Sequence, residues 1–122
     1  MQGKRLERVN QLIKEEISML LQRELKDPRL GFVTVTEVDV SPDLKVGKVY
    51  VSVLGGDEQW AATLQALESA RGFVWNWLRR HLDLRVTPDL IFRPDRSMEH
   101  GAHIQSLLAE LRDRRAPEEG QP

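Results

Sequence analysis

Apolar residues return every three or four positions through the start of the chain, at Leu6, Val9, Ile13, Ile17, Leu20 and Leu21. That spacing puts them along one side of a helix, with Lys4, Arg5 and Arg8 on the opposite side near its start. "KDPRLG" ends the run, because Pro28 disfavours helical geometry at Asp27 and Gly31 relaxes the exit. The rhythm then changes to period two. "FVTVTEVDV" is rich in β-branched residues, and "KVGKVYVSV" aligns Val49, Val51 and Val53 on one side. Two strands are predicted, joined at "SPDL" by a turn with Pro42 at its second position. In the first strand the apolar side switches from Val33 and Val35 to Val38 and Val40, and a bulge near Thr36 or Glu37 reconciles the halves.

Helical spacing resumes after Asp57, a suitable cap, with Trp60, Leu64 and Leu67, and again with Phe73, Val74, Trp77, Leu78 and Leu82. Gly72 stands between the two stripes. Inside a helix it would cost about 1 kcal/mol relative to alanine. Each stripe is complete by itself, so two helices are predicted, jointed at Gly72 by positive φ, with the second starting right after it. "TPDLIFRPD" reads as a short strand whose bounding prolines suit an edge or a strand end. Ser97 or Asp95 caps a last helix built on Ile104, Leu107, Leu108 and Leu111. After Arg115 the Pro, Glu and Gly content predicts an unstructured end, giving one domain over 1–113 and a tail over 114–122. The order helix, strand, strand, helix, helix, strand, helix implies an α+β domain with one sheet face covered and the other comparatively free.

The totals narrow the function classes. At 122 residues, 40% of them apolar and 30% charged, the chain suits one globular domain. No apolar run reaches the roughly 20 residues of a membrane helix, and "MQGKRLERVN" has charge without an apolar signal core behind it. The absence of cysteine removes disulfides, thiolate metal sites and thiol catalysis, and a cytoplasmic protein is expected. The net charge of −1 hides a distribution: Arg71 to Arg96 carry an excess of +3, while residues 31–60 carry −3. Such polarity can put a basic face on a neutral protein.

The glycine joint sharpens that idea. The first turn of a helix leaves amide N–H groups without internal partners, and with the helix dipole these favour a phosphate. Arg71 sits at the bend, Arg79 and Arg80 lie further along, and the bare Gly72 would let a nucleic-acid backbone approach. The plainer alternative is that Gly72 ends a helix and packs closely on a strand. Trp75 falls outside the buried stripe and shares a face with Arg79. It either stacks on an unpaired base or touches a protein surface, or it lies over a rim beneath arginine stems. Enzyme signatures are thin. His100 and His103, with Glu99, lack a third metal ligand nearby, and "LGGDEQW" lacks the lysine of a P-loop. No cofactor, metal or catalytic residue is expected.

In combination, "LQRELKDPRLGFVTVTEVDVSPDL", "KVYVSV", "ARGF" and "LRVTPDLIFRPDRSMEHG" resemble the ribosome-binding factor A family, from Arg8 to about Leu111. The resemblance implies a KH-like fold of the second type with an additional C-terminal helix, in which an Ala-x-Gly kink, here Ala70-Arg71-Gly72, replaces the glycine-rich RNA-clamping loop. It implies a non-catalytic factor for the small (30S) ribosomal subunit and its 16S rRNA. Such a factor supports late maturation, 5′-end processing and growth in the cold, with a ribosome-associated GTPase as a further partner. Carried over by position, the RNA-binding residues are Ala70, Arg71, Gly72, Arg79, Arg80 and Arg85, with Lys4, Arg5 and Arg8 added from the basic start. Family members often have arginine where this chain has Trp75, so either one phosphate contact is lost or stacking replaces it. A monomer is expected. The competing function class is a protein-interaction adaptor that uses the free sheet face and Trp75.

Overall fold

The computed structural model describes residues 2–25 and 27–120, and side chains over 3–25 and 27–113. Its order is α1 (Gln2–Arg23), β1 (Val33–Val40), β2 (Val46–Val53), α2 (Asp57–Ser69), α3 (Arg71–His81), β3 (Asp89–Pro94) and α4 (Ser97–Gly120). This is the α+β order that the family resemblance implies. The three strands form one sheet in the order β1-β2-β3, with β1 antiparallel and β3 parallel to β2. The anticipated domain boundary at 113/114 falls inside the segment assigned to α4, and residues 121–122 lie outside the described residues.

The periodic positions do what their spacing requires. Ile13, Ile17 and Leu20 are fully buried, and they meet Val35, Val38, Val40, Val49 and Val51 from the sheet and Leu67, Val74, Leu78 and Leu90 from the rest. Each buried aliphatic side chain removes apolar area worth about 1.5–3 kcal/mol from water, so this single cluster holds α1, α2 and α3 to one sheet face. The switch of sides within β1 is a true bulge. Val35 pairs with Val51 and Glu37 with Tyr50, which leaves Thr36 as the extra residue. Its hydroxyl hydrogen-bonds to the Asp95 carboxylate at 2.6 Å and lies 3.3 Å from the Tyr50 carbonyl oxygen. The β1–β2 turn closes with the Leu44 amide donating to the Ser41 carbonyl at 2.8 Å, and Leu44 takes a left-handed φ of 64°.

Two polar clusters fix the ends of the elements. The Asp27 carboxylate accepts from the Arg29 amide at 2.9 Å and pairs with its guanidinium at 2.8 Å, which draws its pKa below the ordinary value. At the other end, the indole N–H of buried Trp60 donates to Glu99 at 2.8 Å, and Arg96 lies over the Trp60 ring at 4.4 Å. Arg96 also pairs with Asp57 at 3.0 Å and with Glu99 at 3.3 Å. The first turn of α4 is thereby pinned to α2. Beyond it, Ile104, Leu107, Leu108 and Leu111 share one face of α4 and remain 42–54% exposed. No described helix is long and apolar enough to cross a membrane.

Candidate nucleic-acid interface

The chain breaks between α2 and α3 at Ala70, not at Gly72. Ala70 has φ −89° and ψ 0°, and its amide donates back to the carbonyls of Ala66 at 3.0 Å and Leu67 at 3.1 Å. Its own carbonyl accepts from the Val74 amide at 2.9 Å, so one residue closes α2 and opens α3. These angles are open to any residue, which is why the bend needs no glycine. The jointed pair is therefore present, but the predicted positive φ at position 72 is not. Gly72 is the second residue of α3.

What Gly72 contributes is emptiness. A Cβ built there meets nothing within 4 Å. Close packing on a strand, the plainer reading of this glycine, is thus ruled out by the geometry. The Gly72 carbonyl accepts from the Asn76 amide side chain at 3.1 Å, one turn on. No side chain caps the N-terminus of α3, and its first turn holds no acidic residue. Arg71 is half-exposed and pairs with Glu68 at 3.2 Å, so its charge is partly answered within the protein.

A 3.6-residue repeat places Gly72, Phe73, Asn76, Arg79 and Arg80 on the outward side of α3, opposite buried Val74 and Leu78. All five are exposed. Arg79 and Arg80 form no ion pair among the described residues, and α3 carries no carboxylate. A shallow cleft flanks this face on each side. One, of about 490 Å³, is lined by Arg71, Gly72, Trp75 and Asn76 with Asp89 and Ile91 from β3. The other, of about 360 Å³, is lined by Phe73, Asn76, Trp77, Arg80 and His81. Asp89 weakens the first cleft as a seat for phosphate, so the cationic centre lies toward Arg79 and Arg80.

Trp75 is not a free indole. Half-buried, it donates its N–H to the Thr87 carbonyl at 3.2 Å, and the Arg79 guanidinium lies 5.6 Å from its ring centre. This is the rim arrangement, with the Arg79 guanidinium beside a half-buried ring. Phe73, assigned by spacing to the buried stripe, is instead 50% exposed. The inward line of α3 runs through Val74 and Leu78, with Trp77 at its shoulder, and Phe73 is about 100° around from Val74. A narrower stripe, centred on the residues flanked by apolar neighbours on both sides, would have found it.

The remaining basic residues do not join this face. Arg85 lies beyond the far end of α3, a helix length of about 16 Å from the Ala70 break. There it lines a separate cleft of about 370 Å³ together with Arg5, Leu6, Val9, Pro42, Leu44, Asp83 and Leu84. Lys4, Arg5 and Arg8 are exposed along the start of α1 and form no ion pair among the described residues. The predicted set thus falls into two groups: Ala70, Arg71, Gly72, Arg79 and Arg80 on α3 or its hinge, and Arg5 with Arg85 in a cleft past the C-terminal end of α3, the end that also carries Arg79 and Arg80. No group of three metal-ligating side chains occurs among the described residues.

Comparison with known proteins agrees with this architecture. The family model described as ribosome-binding factor A matches residues 5–108. The ribosome-binding factor A of Desulfitobacterium hafniense strain Y51 is 47% identical over 117 residues, which covers 96% of this chain and 94% of that protein. That of Brevibacillus brevis is 46% identical over 107 residues, 88% of each. The crystal structure of ribosome-binding factor A from Thermus thermophilus superposes with a TM-score of 0.65 at 31% identity, covering 73% of this chain and 93% of that one. A homology model of the Thermus thermophilus factor, fitted into a cryo-EM map of a 30S–RbfA complex, gives a TM-score of 0.60 at 33% identity, covering 71% and 91%. With a family model spanning most of its length and close relatives covering nearly all of it, the chain belongs to the ribosome-binding factor A family.

Proposed function

We propose that this chain is a non-catalytic assembly factor that binds the small (30S) ribosomal subunit through its 16S rRNA, receiving RNA on the outward face of α3. The observation that carries this reading is a helix face with two guanidinium groups that form no ion pair among the described residues, no carboxylate of its own, and a glycine with no neighbour near its missing side chain. Phosphates meet Arg79 and Arg80, and the backbone comes close at Gly72 because no side chain holds it off. Arg71 and Ala70 shape the approach. Arg5 and Arg85, with Lys4 and Arg8, offer a further contact to the same monomer's RNA beyond the C-terminal end of α3. Holding unfinished rRNA in one conformation supports late maturation and 5′-end processing in the cytoplasm, with release assisted by a ribosome-associated GTPase.

Counterion release makes such binding fall steeply with salt. The test is co-sedimentation of the full chain with 30S subunits across a salt series. Binding that weakens progressively and is stripped at high salt is expected. Binding that ignores salt and survives ribonuclease would replace the RNA reading with a protein partner.

A further inference from the structure

We infer that the exposed ring of Phe73 is the stacking platform for one unpaired nucleobase, a role that rests on the RNA-binding reading above. Phe73 follows Gly72 directly and leaves half of its surface in water. Its ring does not stand alone. It lies 6.4 Å from the Trp77 ring at a tilt of 31°, and Trp77 stacks on His81 at 3.9 Å and 13°. Trp77 and the exposed His81 at the other end are held in place. The Trp77 indole N–H donates to Glu16 of α1 at 2.8 Å, and the His81 ring nitrogen Nδ1 lies 2.9 Å from the Trp77 carbonyl oxygen. Phe73 is therefore one exposed end of a braced aromatic row, the end beside Gly72.

Charge selects the occupant. The cleft beside the row is bordered by Arg80 and Asn76, while the negatively charged Glu16 carboxylate, which accepts from the indole, is not among the residues lining it. A base laid on Phe73 would carry its phosphate toward Arg80 and present edge groups to Asn76. An apolar peptide side chain could cover the ring but would leave the guanidinium unanswered. Stacking of a base on an aromatic ring tolerates every base, because each has a π-face. The site thus takes a single-stranded segment by class and not by sequence.

The test compares wild type, Phe73→Leu and Phe73→Trp for binding to 30S subunits, to single-stranded oligoadenylate, and to the same oligomer with abasic positions. Thermal melting of each variant serves as the control. Phe73→Leu keeps apolar bulk at a half-exposed position, so the melt should hold while affinity for 30S and oligoadenylate falls about tenfold, within the range for one stacked base. Phe73→Trp should restore it, abasic oligomer should bind weakly to all three, and the salt slope should not change. Equal 30S binding by wild type and Phe73→Leu overturns the inference, as does equal binding of abasic and intact oligomer. A Phe73→Leu loss on 30S that persists after ribonuclease assigns the ring to a protein contact and also overturns it. Failure of wild type to bind 30S at all refutes the broader reading; salt-sensitive wild-type binding with a neutral Phe73→Leu refutes the stacking alone.

Discussion

Replacing both Arg79 and Arg80 with alanine removes the two guanidinium groups of the α3 face that have no carboxylate partner among the described residues. Each phosphate contact on single-stranded RNA contributes about 0.7 to the slope of log affinity against log salt, so two contribute about 1.4. Between about 50 and 200 mM salt, that difference amounts to roughly a sevenfold change in how far affinity falls. The effect on folding is smaller. Both side chains are exposed in the last turn of α3, where a cation stabilises the helix end by about 0.3–1 kcal/mol. Arg79 additionally covers Trp75 at 5.6 Å, a contact worth about 0.5–1 kcal/mol at a surface. The double variant should therefore unfold at modestly lower urea while its 30S binding becomes both weaker and less salt-sensitive. The lysine pair at the same positions keeps the charge and should keep most of the slope. An affinity loss with the slope unchanged, or no loss at all, would refute the assignment of these arginines to phosphates.

Further outcomes follow from the same geometry. Gly72→Val adds bulk into open space with no strain in φ, so melting should stay level or rise while 30S binding drops; parallel losses in both would make the glycine structural. Asp95→Asn tests the tie between the bulge and α4. The Asp95 carboxyl is held below its ordinary pKa first by the Ser97 side chain and then by Thr36 and the Ser97 amide. A depressed carboxylate contributes stability above its unfolded value and loses it as pH falls through the folded one. The variant should thus melt lower than wild type at neutral pH, and the gap should close in acid; a gap independent of pH would count against the tie. Trp60→Phe deletes the N–H that Glu99 accepts and should cost about 1.5–3 kcal/mol in urea unfolding, as expected for a bond to a charged group.

Much of this fold could be read from spacing. The α1 stripe, the order of the elements and the bulge at Thr36 rest on local periodicity, which the backbone geometry enforces residue by residue. Errors arose where a pattern underdetermines direction. Phe73 sits at the edge of an apolar stripe, and an edge position is assigned by whatever packs beside it. The Ala70 break uses angles available to any residue, so no compositional mark announces it, whereas Gly72 carries the mark of a conformation it does not adopt. Arg85 is near Arg80 in sequence but lines another cleft, because α3 ends at Leu82 and its helical spacing stops there. Ile104, Leu107, Leu108 and Leu111 form a correct helical stripe, yet amphipathic spacing names a face without naming what covers it.

The pinned start of α4 makes that helix a lever. From Ser97 to Asp113 it extends about 24 Å at the helical rise, so a rotation of about 10° at the Trp60–Arg96–Glu99 fastening would carry the far end through about 4 Å. Subtle repacking at three side chains would thus be felt as a large displacement, well away from where it originates.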